Sequence, residues 1–485
     1  MKNIWFLSLV FISTSLMAQV PTNNAMPTQQ FRAGASTSNI TPSLGAGIVG
    51  NFGDPPPAKH IHDELHARSL VLDDGATQLL FVVVDNLQVP REVLDEAKRR
   101  IQEATGLPTS HMLISAIHTH SAPSAQGATK AERRGWNVGK PFDSYQQFLI
   151  SRIADGAQRA FNNLEPAYIG WGVGSVPQHV FNRRWITKHL NVSPYGDMDK
   201  ARMNPGVGNP DLVKPAGPTD PEVSFISVKS VDGKPIALLA NYSLHYVGGI
   251  PKNDISADYF AVFADRIQKL LGADRQDPPF VGILSNGTSG DINNINFKGP
   301  TEKRAPYEKM RIVAEDVAQE VFRVSKTLEY HPWVPLEAAQ TELTLNTRKV
   351  SPELLEASRE ILARPDTAKP LHHSLEKTYA AHALLFDREW PDQIDVILQA
   401  FRIGDLGIAA IPFEVFAETG LEIKADSPFK STFTMELANG AYGYLPTPEQ
   451  HELGGYETWL GTNKVEKNAS RKIVTEIMKL LDQLH

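Results

Sequence analysis

The 485-residue chain contains no cysteine. That absence excludes disulfides, thiol nucleophiles and thiolate metal sites, so any metal must rest on histidine, carboxylate, tyrosine or water. A basic surplus is also missing: 48 Lys+Arg stand against 55 Asp+Glu, a net charge of -7, and nucleic-acid binding has no electrostatic footprint here. Beyond the N-terminus no apolar run approaches the ~20 residues needed to span a bilayer. What is present is an ordinary globular composition, 41% hydrophobic and 21% charged, outside the range in which chains stay disordered.

The first residues read as a targeting segment. Lys2 precedes a largely apolar stretch from Ile4 to Met17, closed by the small residue Ala18. A short positive region, an apolar stretch and a small final residue form the secretory signal pattern, with cleavage after Ala18. The alternative, an anchor helix, needs a longer apolar run. Residues 19–30, rich in Pro, Asn, Thr and Gln, read as a flexible leader. The mature protein is therefore expected to be secreted or periplasmic, with no transmembrane anchor after cleavage.

From residue 31 to 485 the pattern predicts one domain of mixed α/β fold: a largely parallel sheet core flanked by helices, with long loop insertions. Gln78–Asp85 is a continuous apolar run ending in a carboxylate, the pattern of a buried strand. Arg91–Thr105 carries Val93, Leu94, Ala97 and Ile101 at helical spacing, and Met112–Ile117 is the next strand. Strand–helix–strand order suggests crossover units and parallel pairing. Further strands are expected at Pro235–Ala240, Phe280–Leu284, Leu406–Ile411 and Thr432–Leu437, and helices at Pro352–Leu362 and Leu375–Leu385. The segment Ile186–Pro221, rich in Pro, Gly, Asn and Asp, reads as a linker or a long functional loop.

The residues with chemistry lie just past the apolar strands. His118 and His120 flank Thr119, and on an extended chain they point the same way, as metal ligand and acid or base or simply as two surface histidines. His245 follows the strand ending near Ala240, and Glu414 follows Ala409-Ala410-Ile411-Pro412-Phe413. A hydrogen-bonded core histidine and a helix N-terminal acid are the plain readings of those two. Tyr442 and Tyr444 flank a glycine, and Ser285 to Asn294 form a polar, Gly-punctuated turn after a strand. Together His118, His245 and Glu414 make a two-histidine, one-carboxylate set, the type that holds catalytic zinc and leaves a position for water.

In the same order along the chain, Ala33-Gly34, Asn39-Ile40-Thr41-Pro42, Ile61-His62, Ala67-Arg68, Asp85, His118-Thr119-His120-Ser121-Ala122-Pro123, Asn182-Arg183, His245, Ser285-Asn286 with Gly290-Asp291, Pro412-Phe413-Glu414, Tyr444 to Glu449 and Tyr456-Glu457 form a series. This series resembles the N-terminal catalytic domain of the neutral/alkaline non-lysosomal ceramidase family. The resemblance implies a zinc ion held by His118, His245, Glu414 and Tyr444, with His120 as the neighbouring acid/base. It implies Arg183 as the polar group that holds the substrate and Tyr456 as a donor to the oxyanion. The implied activity is hydrolysis of an N-acyl amide of a small molecule or lipid by a zinc-activated water. A zinc esterase or amidase acting on a polar or carbohydrate-linked substrate is the enzymatic alternative, and a non-catalytic binding protein on the same fold is the other. The sequence departs from the family pattern at Asn293, where the family has serine, at Phe413 in place of glycine, and at His451 in place of tyrosine. The family's β-sandwich domain has no counterpart before the chain ends near Leu484, and Ile186–Pro221 and Pro352–Leu385 look particular to this protein.

Overall fold

The computed structural model describes residue 1 and residues 30–485. The expected signal segment and the leader up to residue 29 lie outside the described residues.

An eight-stranded sheet forms the centre. Its strands are β1 (Arg32–Asn39), β2 (His66–Asp73), β3 (Gln78–Val84), β4 (Met112–Ala116), β5 (Glu165–Ser175), β6 (Glu222–Ser230), β7 (Pro235–Tyr242) and β8 (Val281–Asn286), in the spatial order β8-β7-β6-β5-β1-β2-β3-β4. A second, four-stranded sheet contains β9 (Leu336–Asn346), β10 (Gln393–Ile403), β11 (Leu406–Ile411) and β12 (Ser431–Glu436), side by side in that order. Helices α1 (Arg91–Thr105), α2 (Ser144–Asn162), α3 (Asp258–Leu270) and α4 (Glu308–Ser325) cover one face of the large sheet. The register shows that they share this face: Leu238 stands opposite Gly282 and Ser227, and Ser227 opposite Gly170. Gly282 is crowded by the backbone of α3, and Gly172, on the same face as Gly170, by Val324 of α4. Phe81, on the opposite face, meets Phe401 of the second sheet. Helix α5 (Ala469–Leu484) closes the outer side of that second sheet, burying Ile473, Ile477 and Leu481 against Val396, Leu398 and Ala400. Burial of each such side chain stabilises the fold by roughly 1.5–3 kcal/mol.

The mixed α/β class is as expected, but the largely parallel core is not. Within the large sheet only β7/β8 and β3/β4 run parallel, and the other five pairings are antiparallel. The reason is physical. All of β3 after Gln78 is buried because helices cover one of its faces and the second sheet the other. A continuous apolar strand reports two covered faces, not the direction of its neighbours. The inserted segment also differs from its expectation: Arg184–Val192, Met198–Met203 and Leu212–Pro215 form a small antiparallel sheet rather than a loop.

The parallel pairs nevertheless position the site. The units β3–α1–β4, β7–α3–β8 and β11–β12, the last with helix Ala417–Asp426 between its strands, are the crossover units of the fold. Their strand ends converge where the two sheets meet: Ala116 N–H donates to Leu437 O at 3.2 Å, and Asn439 N–H to Ile114 O at 2.8 Å. Loops at the carboxyl ends of parallel strands, at the point where connections diverge, are where α/β folds place ligands.

Candidate metal centre and its cavity

Each residue at the centre is carried just past one of these strands. His118 follows β4 with a backbone φ of 66°, a left-handed conformation uncommon for a side-chain-bearing residue, and its N–H donates to Asn86 O at 3.0 Å. Such strain persists only where surrounding contacts enforce it, and it collects at functional sites. His245 follows β7. Glu414 follows β11 in a two-residue bridge that pairs it with Tyr444, so it is not the capping acid of the next helix, which begins at Ala417. The polar turn after β8 packs directly behind it: Gly290 N–H donates to Val415 O at 2.8 Å, and a Cβ at Gly290 would meet the Glu414 backbone.

The hydrogen bonds fix which imidazole nitrogens are free. His118 Nδ1 lies 2.9 Å from Leu87 O, and His245 Nδ1 lies 3.1 Å from Ser289 O and 3.3 Å from its hydroxyl. A carbonyl only accepts, so each Nδ1 carries the proton and each Nε2 presents a lone pair. Those lone pairs face the same carboxylate: Glu414 Oε2 is 3.2 Å from His118 Nε2 and 3.9 Å from His245 Nε2. The nitrogens of His118, His120 and His245 lie within 4.8 Å of one another, and His120 Nε2 is 3.3 Å from His118 Nε2. His245 Nε2 and Glu414 Oε2 are buried with no hydrogen-bond partner in the protein. Converging acceptors without a donor are costly when buried. A divalent cation relieves them. A tetrahedral centre with bonds of about 2.0–2.1 Å sets its ligand atoms about 3.3 Å apart, close to the His118–Glu414 separation. The residues therefore fit a metal.

The electrostatics favour the neutral form of His245 and His120. Burial, reinforced by the Arg183 charge and the neighbouring imidazoles, holds His245 well below the usual histidine range, and burial with His118 and Arg183 does the same for His120. Burial disfavours ionisation of Glu414, but His118, Tyr444 and Arg183 outweigh it and keep the carboxyl below its ordinary range. Burial raises Tyr444 and Tyr456 well above an ordinary phenol, so both hydroxyls remain protonated donors. His120 stacks on Tyr246 with ring centroids 3.7 Å apart. Arg183 lies over the Tyr444 ring, 5.2 Å from its centroid, and its Nε donates to Glu457 Oε1 at 2.9 Å while Nη2 has no partner. These groups open onto a cavity of about 350 Å³.

A model of the family described as "Neutral/alkaline non-lysosomal ceramidase, N-terminal" matches residues 31–319. The chain belongs to the neutral/alkaline non-lysosomal ceramidase family. Its fold is similar to that of the neutral ceramidase of Pseudomonas aeruginosa, with a TM-score of 0.68 over 94% of this chain and 75% of that one, at 16% identity. A structure described as "Ceramidase complexed with C2" gives the same values. Membership makes the chain a hydrolase by family. No described helix is long and apolar enough to cross a membrane.

Compared with the ceramidase pattern, the structure brings His118, His120, His245, Glu414, Tyr444, Arg183 and Tyr456 to one cavity. Asn293 is elsewhere: its Nδ2 donates to Asn204 Oδ1 at 2.8 Å and its Oδ1 accepts from Ile295 N–H at 3.0 Å, so both ends are engaged within the protein. Sequence reading gave no role to Ser289 or Glu457, and it missed Glu436. Ser289 Oγ, beside His245, donates to Glu436 Oε1 at 2.6 Å, and Glu436 also accepts from Val415 N–H at 2.7 Å. Burial pushes the Glu436 carboxyl well above its usual range. Glu457 bridges Arg183 and Arg184, the latter at 2.7 Å. The only signal for it was its place beside Tyr456.

Proposed function

We propose that this protein is an exported, zinc-dependent hydrolase that cleaves the amide bond of an N-acyl substrate of the ceramide type. The observation that carries the reading is the convergence of His118 Nε2 and His245 Nε2 on Glu414 Oε2, the last two buried without a hydrogen-bond partner, at a cavity that also holds His120, Arg183 and Tyr456. His118, His245, Glu414 and Tyr444 would hold the zinc. When bound, zinc supplies a Lewis acid that lowers the pKa of water toward neutrality. The chain's own residues perform the rest. The unpartnered Arg183 Nη2 and the protonated Tyr456 hydroxyl donate to the carbonyl oxygen as it gains charge during attack by water, and Glu457 keeps the guanidinium aimed. His120, neutral and with Nδ1 free of protein partners, accepts the proton released in the attack and returns it to the departing amine nitrogen. Asn293 offers no nucleophile, so water is the attacking group. Export rests on Lys2, the stretch Ile4–Met17 and Ala18, and N-terminal sequencing of the mature protein should begin at Gln19.

A second reading, an esterase or amidase for a polar substrate, is favoured by one observation: Lys130, Arg133, Arg134 and Lys464 line the same cavity. The test is release of fatty acid from a fluorescent N-acylsphingosine by the purified protein. Release that stops with chelator and returns with zinc is the expected result. A zinc-loaded protein that cleaves no N-acyl amide would refute the reading.

A further inference from the structure

Part of the cavity wall carries cations that have no ion-pair partner among the described residues. Lys130, Arg133, Arg134 and Lys464 line the cavity together with Arg183, while Glu414 is the only lining carboxylate among the described residues. Arg134 and Lys464 are half-buried and form no side-chain ion pair or hydrogen bond among the described residues. The Lys464 ammonium sits over the Trp390 ring, 4.8 Å from its centroid, and its stem runs beside Gly443, next to Tyr444. His382, from helix Glu376–Glu389, completes this wall against Gly461, and its Nε2 is buried with no partner. Burial first, then the charges of Arg134, Lys464 and Lys130, lower His382 to about 3, and burial lowers Lys464 to about 8. Desolvated like charges repel, and a protein keeps them together where a ligand of opposite charge supplies the compensation. The scissile amide, being neutral, supplies none.

We infer that Arg134, Lys464 and His382 form a subsite for an anionic group, so that the amide substrate carries a carboxylate or a comparable oxyanion besides the scissile amide. The inference rests on the hydrolase reading for the amide and on the cavity alone for the anion. The helix Glu376–Glu389 and the short helix Lys130–Arg134, which pack together, build the subsite, and the first of them belongs to the segment that looked particular to this chain. That segment brings His382 to the cavity wall, and Trp390, under Lys464, follows just beyond its end.

The experiment compares N-dodecanoylglycine with its uncharged counterpart N-dodecanoylglycinamide on the zinc-supplied protein, reading the dissociation constant by calorimetry and released dodecanoate in parallel. Wild type should bind the acid at least about tenfold more tightly, the scale of one charge-assisted contact. Arg134→Gln and Lys464→Met should each reduce that ratio to about threefold or less while leaving glycinamide binding and metal content unchanged, and Lys464→Arg should retain it. A wild-type ratio near one would overturn the subsite. So would a ratio that survives both substitutions, because the carboxylate would then be held by the metal or by Arg183. Selective binding without dodecanoate release would uphold the subsite and remove the reading that such an acyl amide is cleaved; release without selectivity would do the reverse.

Discussion

At the scale of single residues, the account turns on what stands behind the ligands. Ser289 accepts from His245 Nδ1 through its carbonyl and contacts it through its hydroxyl, which in turn donates to the buried Glu436. Such outer partners orient the ring and fix its tautomer. Ser289→Ala removes the hydroxyl but keeps the carbonyl, so metal affinity should fall by about tenfold, the low end of the usual range, with the fold intact. Competition with a chelator of known affinity measures this, and an unchanged affinity would remove Ser289 from the metal's support. Asn293 is the opposite case. Both ends of its amide serve Asn204 and the local backbone, and Asn204 lines the cavity. Asn293→Ala should therefore leave metal content unchanged and reduce turnover only several-fold, through a loosened wall. Complete loss of turnover with metal and fold intact would give Asn293 a direct chemical role that this account denies it.

Among the elements, one buried cation ties the helix layer to the second sheet. Lys98 of α1 is almost fully buried, and its ammonium donates to Asn439 Oδ1 at 2.7 Å. Asn439 Nδ2 donates to Gln399 Oε1 of β10 at 2.7 Å. Burial lowers the Lys98 pKa to about 7 from an ordinary 10.5. The folded chain then releases this proton near pH 7 while the unfolded chain holds it to about 10.5, so the unfolded state binds more protons within that window and stability rises with pH there. One full proton is worth at most about 1.4 kcal/mol per pH unit. In urea unfolding between pH 7 and 10 the wild type should gain stability more steeply than Lys98→Met, and equal slopes would contradict the burial argument. Element type and direction were not equally legible. The helix over Arg91–Thr105 and the strand over Gln78–Val84 were plain from period and continuity. Strand direction was not, because hairpins and crossovers leave similar apolar runs when both faces are covered. The crossover from Gln78 to Ile117 was the part of the topology that order did reveal, and it is one of the three units that hold the site.

For the whole molecule, the metal centre was readable because its members are few, chemically distinctive and placed at strand ends: His118, His245 and Glu414 stood out one by one, and the structure brings their atoms together. The cationic wall was not readable. Lys and Arg are common on any surface, and nothing in the spacing of Arg134, His382 and Lys464 announces that distant segments bring them to one cavity. The insertion Ile186–Pro221 was misjudged for a related reason: its glycines and prolines are the turns of a small sheet packed beside Arg183, not signs of missing structure. The claim on which the rest depends is that His118, His245 and Glu414 hold a metal. Elemental analysis of the purified wild-type protein and of His245→Ala, both checked for folding, tests it directly. About one zinc per wild-type chain, and little or none in the folded variant, is the predicted result. A wild-type protein that takes up no metal when zinc is supplied, or a variant that retains it in full, would contradict the account.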